Sequence, residues 1–109
     1  MHELSVAMEV VELVTARAAG ARVKRVVVEV GALAAILPDA LAFSFQVASD
    51  GTSAAGAELQ IIEQDAQGRC RSCQRESAQR DILASCVCGE RNFDWLSGAE
   101  LKIREMEIV

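Results

Sequence analysis

Four cysteines and one histidine hold most of the metal-binding and nucleophilic chemistry in this 109-residue chain. The cysteines are Cys70, Cys73, Cys86 and Cys88, a C-x2-C-x12-C-x-C pattern. Two close pairs of thiolates can surround one tetrahedral ion at about 2.3 Å per Zn–S bond. The first pair has the usual spacing of a zinc-binding turn, in which backbone N–H groups point at sulfur. The second pair is one residue tighter. Alternate residues of an extended chain face the same way, so a local curl brings both sulfurs to one ion. Gly89, after the last cysteine, permits a left-handed turn there. Four sulfurs close the shell, which makes the expected Zn(II) structural rather than catalytic. C-x2-C also occurs in disulfide-exchange enzymes; those need a strand-to-helix site, and two of the four thiols would be surplus.

The histidine is His2, beside Met1. N-terminal processing generally spares Met before a large residue, so Met1 is expected to keep its α-amine. That amine, the His2 amide and imidazole, and the Glu3 amide and carboxylate form one short chelate. Nitrogen-rich, tetragonal donor sets suit Ni(II) or Cu(II). The plainer alternative is a solvated terminal histidine. The chain has no phosphate-binding P-loop motif and no H-E-x-x-H. A cysteine nucleophile would need a base, and His2 is the sole imidazole. The chain is therefore read as not an enzyme.

Elements that could position these residues follow from periodicity. "SVAMEVVELVTARAAG" reads as an amphipathic helix with Leu4, Met8, Val11, Val14 and Ala18 on its apolar stripe. Ser5 is the expected N-cap and Gly20 the left-handed stop. "ARVKRVVVEVG" reads as a strand, with Val26, Val28 and Val30 on one face. "LPDALAFSFQVASDG" reads as a second helix, Pro38 first and Asp39 in its first turn, burying Leu41, Phe45 and Ala48. "AELQIIEQD" and the closing "AELKIREMEIV" read as strands; the latter changes phase near Arg104, as a bulge would. Hydrophobic residues make up 51% of the chain, but with three Phe, one Trp and no Tyr the core must be aliphatic.

Between the last two strands, residues 69–91 hold five basic and three acidic side chains, against a whole-chain charge of −5. Few large aliphatics lie there, so this segment needs metal to fold. Arg69, Arg71 and Arg75 would offset the double negative charge of a zinc tetrathiolate. The expected organisation is α+β: a small three-stranded sheet with two helices over residues 1–67 and 98–109, and a zinc-ribbon-like module over residues 68–97. An acidic chain repels phosphate backbones, so nucleic acid is not the expected partner. No secretory signal and no run of about 18 apolar residues appear, so no membrane span is expected and the reading is cytoplasmic.

Met-His-Glu opening an amphipathic helix, then "VVVEVGAL", "PDALAFSF", "GAELQI", a paired-cysteine module and "GAELKIREMEI", resembles the HypA/HybF family of nickel metallochaperones for nickel–iron hydrogenase maturation. The resemblance covers nearly the whole chain. It implies Ni(II) held as cargo by the N-terminus, with His2 as ligand and Met1 and Glu3 contributing through backbone nitrogen. Asp39 occupies the place of an acidic residue that approaches the same site. It implies as partners a nickel-handling GTPase and the hydrogenase large subunit; some members serve urease. The family reads C-P-x-C-G at the second cysteine pair. Here Cys86-Val87-Cys88-Gly89 lacks the Pro and is one residue shorter, and Cys86 substitutes for the missing ligand. The short linkers near Gly68 and Gly98 are compatible with a homodimer formed by segment exchange. The alternative to the chaperone is a zinc-ribbon adaptor, a protein-interaction module without nickel cargo.

Overall fold

A computed structural model describes residues 2–81 and 83–109. The chain divides into two compact units, one of Met1–Val28, Ile36–Ile62 and Lys102–Val109, the other of Glu29–Ala35 and Glu63–Leu101. Two helices and two small sheets make the fold α+β.

In the first unit, helix α1 (His2–Ala18) packs against helix α2 (Pro38–Ser49). Strand β1 (Val23–Gly31) lies between β2 (Glu58–Gln64) and β6 (Leu101–Ile108), in the order β2-β1-β6. Phe45, Leu41, Val14, Val23, Val26 and Val28 are fully buried, the aliphatic core that the composition requires. Val27 is buried too, so the middle of β1 is covered on both faces.

Three local expectations shift. Helix α1 already begins at His2, and Ser5 sits inside it, its hydroxyl donating to the His2 carbonyl at 3.0 Å, so Ser5 is not the cap. The buried face of α1 is Ala7, Val10, Val11, Val14 and Ala18, while Met8 is exposed. On α2 the buried set is Leu41, Ser44, Phe45 and Ser49, with Ala48 only half-buried. Small side chains let packed elements approach closely, and Ser49 satisfies its hydroxyl on the Gln46 carbonyl at 3.2 Å. Gly20 follows the end of α1 with φ +94°, as its place in the sequence suggested. In β6, Leu101, Ile103 and Met106 are half-buried whereas Arg104 and Glu105 are both exposed, so the alternation slips by one residue there.

The second unit is an antiparallel sheet of β3 (Ala66–Cys70), β4 (Glu76–Gln79) and β5 (Phe93–Ser97), in the order β4-β3-β5. Cys70 faces Phe93 across the ladder and Gly68 faces Trp95. The two rings stack at 5.2 Å. A Cβ at Gly68 would come within 3.0 Å of both, so glycine makes the bed on which they lie. The buried cluster is small: Cys70, Cys86 and Phe93, with Trp95 packed against it. A tight one-turn 3-10 helix (Ala32–Ala34) follows β1 and is tied to the same unit by Leu33 N–H donating to the Gly98 carbonyl at 2.8 Å. Among the described residues no helix is long and apolar enough to cross a membrane.

Candidate metal centre

The four cysteines converge. Their sulfurs all lie within 4.8 Å of one another, with Cys70–Cys88 and Cys73–Cys86 each at 3.6 Å. A tetrahedron with Zn–S bonds of about 2.3 Å has edges of about 3.8 Å, so the donor set fits one tetrahedral ion. Among the described residues this is the one group of three or more His, Cys, Asp and Glu side chains whose ligand atoms come together. Cys70 and Cys86 are buried, Cys73 and Cys88 exposed. Each pair thus gives one inner and one outer sulfur.

The backbone explains how a C-x-C pair does the work of C-x2-C. In the first loop Cys70 N–H donates to the Arg75 carbonyl at 2.9 Å, and Gln74 N–H to the Cys70 carbonyl at 2.9 Å. In the second, Cys86 N–H donates to the Glu90 carbonyl at 2.7 Å, and Gly89 N–H to the Cys86 carbonyl at 2.8 Å. The second loop is the first with one residue removed and both closing bonds kept. In each, the residue after the second cysteine is left-handed, Gln74 at φ +64° and Gly89 at +95°. The shorter loop curls harder at that residue, and glycine is the residue that does so without strain. Gln74 accepts its positive φ despite a Cβ, a feature that no sequence signal announced.

Thiol electrostatics follow from these loops. The Cys73 amide, joined by the Ser72 amide and the Cys88 and Cys73 thiols, outweighs burial and brings Cys70 down to about 7. At Cys88 the Glu90 amide lowers the pKa, but desolvation and hydrogen bonds to Cys70, Cys86 and Cys73 prevail and push it up to about 12. Negative charge therefore gathers first on the inner Cys70, while Cys88 keeps its proton until a cation displaces it.

The expected arginine collar is only partly present. Arg71 Nε pairs with Asp94 at 2.7 Å and Arg69 with Glu76 at 3.2 Å, both across exposed strand faces. Both guanidiniums therefore sit on carboxylates of neighbouring strands. Arg75 has no ion-pair partner among the described residues.

The N-terminal residues lie in the first unit. Met1 lies outside the described residues. His2 is exposed at the start of α1. The Glu3 carboxylate accepts the Leu37 N–H at 3.2 Å. Leu37 is the N-cap of α2 and has no capping side chain of its own, so Glu3 supplies the missing acceptor and places negative charge at the positive helix end. This bond holds Glu3 below the usual carboxylate range. Asp39, in the first turn of α2, is exposed.

The chain matches, over residues 1–108, the family profile described as HypA, "Hydrogenase/urease nickel incorporation, metallochaperone". The chain belongs to the HypA family. Similar curated members are the hydrogenase maturation factors HypA of Nostoc punctiforme, 44% identical over 99% of this chain and 96% of that one, and of Geotalea uraniireducens, 41% identical over 99% of each. Among solved structures, the Ni metallochaperone HypA of Helicobacter pylori superposes with a TM-score of 0.66 over 100% of this chain and 98% of that chain. At 22% identity that likeness speaks for the fold. A second HypA solution structure matches with a TM-score of 0.60 at 18% identity, over 97% of this chain and 92% of that chain. The family handles nickel as a metallochaperone, a task that breaks no substrate bond, and this member brings its four cysteines together in one cluster.

Proposed function

We propose that the chain binds Ni(II) as cargo at its N-terminus and delivers it during nickel–iron hydrogenase maturation, with Zn(II) on Cys70, Cys73, Cys86 and Cys88 bracing the inserted module. The observation that carries the reading is the start of α1 at His2 in a member of this family. The first amides of a helix have no carbonyl four residues before them. Nickel bound through the His2 and Glu3 amide nitrogens would therefore break no helical hydrogen bond.

In this reading His2 supplies the imidazole and Met1 its amine, while Asp39 at the head of α2 adds a carboxylate. The Glu3 side chain, already held at Leu37 N–H, orients the first turn, leaving its amide nitrogen for the ion. Exposed ligands exchange readily, so nickel passes by ligand substitution inside a complex. The partners proposed are a nickel-handling GTPase and the hydrogenase large subunit. The zinc shell is closed and takes no part in the transfer.

The test is a nickel titration of zinc-loaded protein with Met1 at the terminus, beside His2→Ala. Tight binding lost in the variant supports the reading. An imidazole must be neutral to bind, so affinity should also fall as pH drops from about 7 to 5. Equal binding in both proteins, or none, would leave a zinc-ribbon adaptor without nickel cargo.

A further inference from the structure

The four sulfurs are not equivalent. Cys70 and Cys86 are buried with Phe93, and Trp95 packs against them, whereas Cys73 and Cys88 are exposed. The two contacts of 3.6 Å run between the loops: Cys70 with Cys88, and Cys73 with Cys86. Each therefore joins one buried sulfur to one exposed sulfur. Water reaches the outer pair. Val87, beside Cys88, is 80% exposed, and Ser72 and Gln74, on either side of Cys73, are exposed too. We infer that the cluster is a modification site for hydroperoxides, which oxidise it to two disulfides, Cys70–Cys88 and Cys73–Cys86, each crossing from one loop to the other. A sulfur in a disulfide holds no metal, so oxidation also expels zinc; that consequence, though not the pairing, rests on the zinc reading above.

The chemistry needs an accessible sulfur and a second sulfur poised to resolve it. Hydrogen peroxide meets the outer sulfurs first. The Cys88 thiolate attacks one peroxide oxygen: an S–O bond forms, the O–O bond breaks and hydroxide leaves. The Cys70 thiolate then attacks the sulfenic sulfur: the S–S bond forms, the S–O bond breaks and a second hydroxide leaves. Two thiolates give up two electrons, and one peroxide takes them. Cys73 and Cys86 repeat the sequence with a second peroxide. An S–S bond is about 2.05 Å long, so each sulfur of a pair moves by less than about 1 Å.

The rival is pairing within each loop, as in disulfide-exchange enzymes. Val87 alone separates Cys86 from Cys88, so a bond there would tighten a loop that already needs Gly89 at φ +95°. It would also leave the two loops untied. The crossed pairs instead close spans of 18 and 13 residues and hold loop against loop. A covalent brace thus takes over as the metal ligands are consumed. The module keeps its fold while it loses its metal, and reduction by a dithiol restores the binding site.

Hydrogen peroxide added stepwise to the zinc-loaded full chain separates the two. Two equivalents should consume all four thiols and release the zinc, followed with a chromogenic chelator. Trp95 fluorescence should stay near that of the loaded protein, whereas chelation without peroxide should lose it. Trypsin cuts after Arg69, Arg71, Arg75, Arg80 and Arg91, so Cys70, Cys73 and the Cys86–Cys88 segment fall on separate peptides. Crossed disulfides tie all of these into one species, and backbone fragmentation at Val87 assigns the partners. Pairing within loops ties Cys70 to Cys73 and leaves the Cys86–Cys88 peptide alone. Dimedone, which traps sulfenic acid, should label Cys73 and Cys88 but not Cys70 or Cys86. Dithiothreitol should return the four thiols and the zinc affinity. Bonds within loops or between chains, trapping at the inner sulfurs, sulfinic acid in place of disulfide, or a Trp95 signal lost with the thiols would each overturn the inference. The zinc content of the starting protein tests the metal reading separately: a chain without zinc that still gives the crossed map fails that reading and not this one.

Discussion

The two units reach stability by different means. The first buries Phe45, Leu41 and a row of valines. The second buries two sulfurs, one phenylalanine ring and part of an indole. Where the first has side chains meeting at a centre, the second has Cys70 and Cys86 converging with Cys73 and Cys88. In the proposed reading, metal replaces the core that a segment so poor in large aliphatics lacks. The contrast sets hydrophobic packing in one unit against the proposed coordination in the other, each with its own failure mode.

Zinc removal tests that contrast most severely. A chelator, or Cys70→Ser, should forfeit about 10 kcal/mol or more of binding-linked folding and unfold residues 63–101. Trp95 is the chain's one tryptophan and stacks beside the cluster, so its fluorescence reports the loss directly. The far-ultraviolet helical signal of α1 and α2 should persist. If both signals fall together, the units are not stabilised separately.

Acid attacks the same unit. Binding zinc requires four thiolates. In the metal-free cluster Cys70 titrates at about 7 and Cys88 at about 12. Loading at neutral pH should therefore release more than one proton, and a fall of one pH unit should lower apparent zinc affinity more than about tenfold. Proton release measured by calorimetry in buffers of different ionisation enthalpy checks the count. Release of about one proton would mean that the cluster waits largely ionised.

Phe45→Ala turns the contrast round. It should cost the first unit about 3–5 kcal/mol, seen as an earlier loss of helical signal, and leave zinc affinity unchanged. The smallest effect is expected at Glu3→Gln. The folded state depresses the Glu3 pKa, so the contact with Leu37 contributes above the ordinary value of 4.5 and is lost as pH falls through the lowered one. The Leu37 amide proton should titrate with a midpoint below 4.5 in the wild type and not at all in the variant.

Much of the first unit was legible because periodicity sees large apolar side chains. It found α1, α2, β1, β2 and β6 and the phase slip in β6. It misplaced the buried face of α1 because Met8 scores as more hydrophobic than Ala7, whereas close helix packing favours the small residue. Serine at positions 44 and 49 hid for the same reason. The helix start at His2 was missed because Ser5 looks like a cap, and the carboxylate that caps the other helix comes from 34 residues away. In the second unit the cysteine spacing disclosed the cluster, but not β3, β4 and β5. "AQGRC" and "ESAQ" have no β-branched or aromatic residues; their ladder is imposed by the loops that bring sulfur to sulfur.

One spot in the second unit sets a limit of another kind. Gly31 and Gly98 lie so close that a Cβ on Gly31 would overlap the Gly98 carbonyl, and a Cβ on Gly98, at φ +117°, would fall 2.6 Å from Ala66 Cα. Gly31 N–H donates to the Glu100 carbonyl at 2.9 Å across the same spot. The end of β1, the start of β3 and the connection from β5 to β6 meet there with backbone against backbone. Mutational drift that leaves most of the surface untouched has no latitude at these positions. They are as immovable as the cysteines, although they bind nothing.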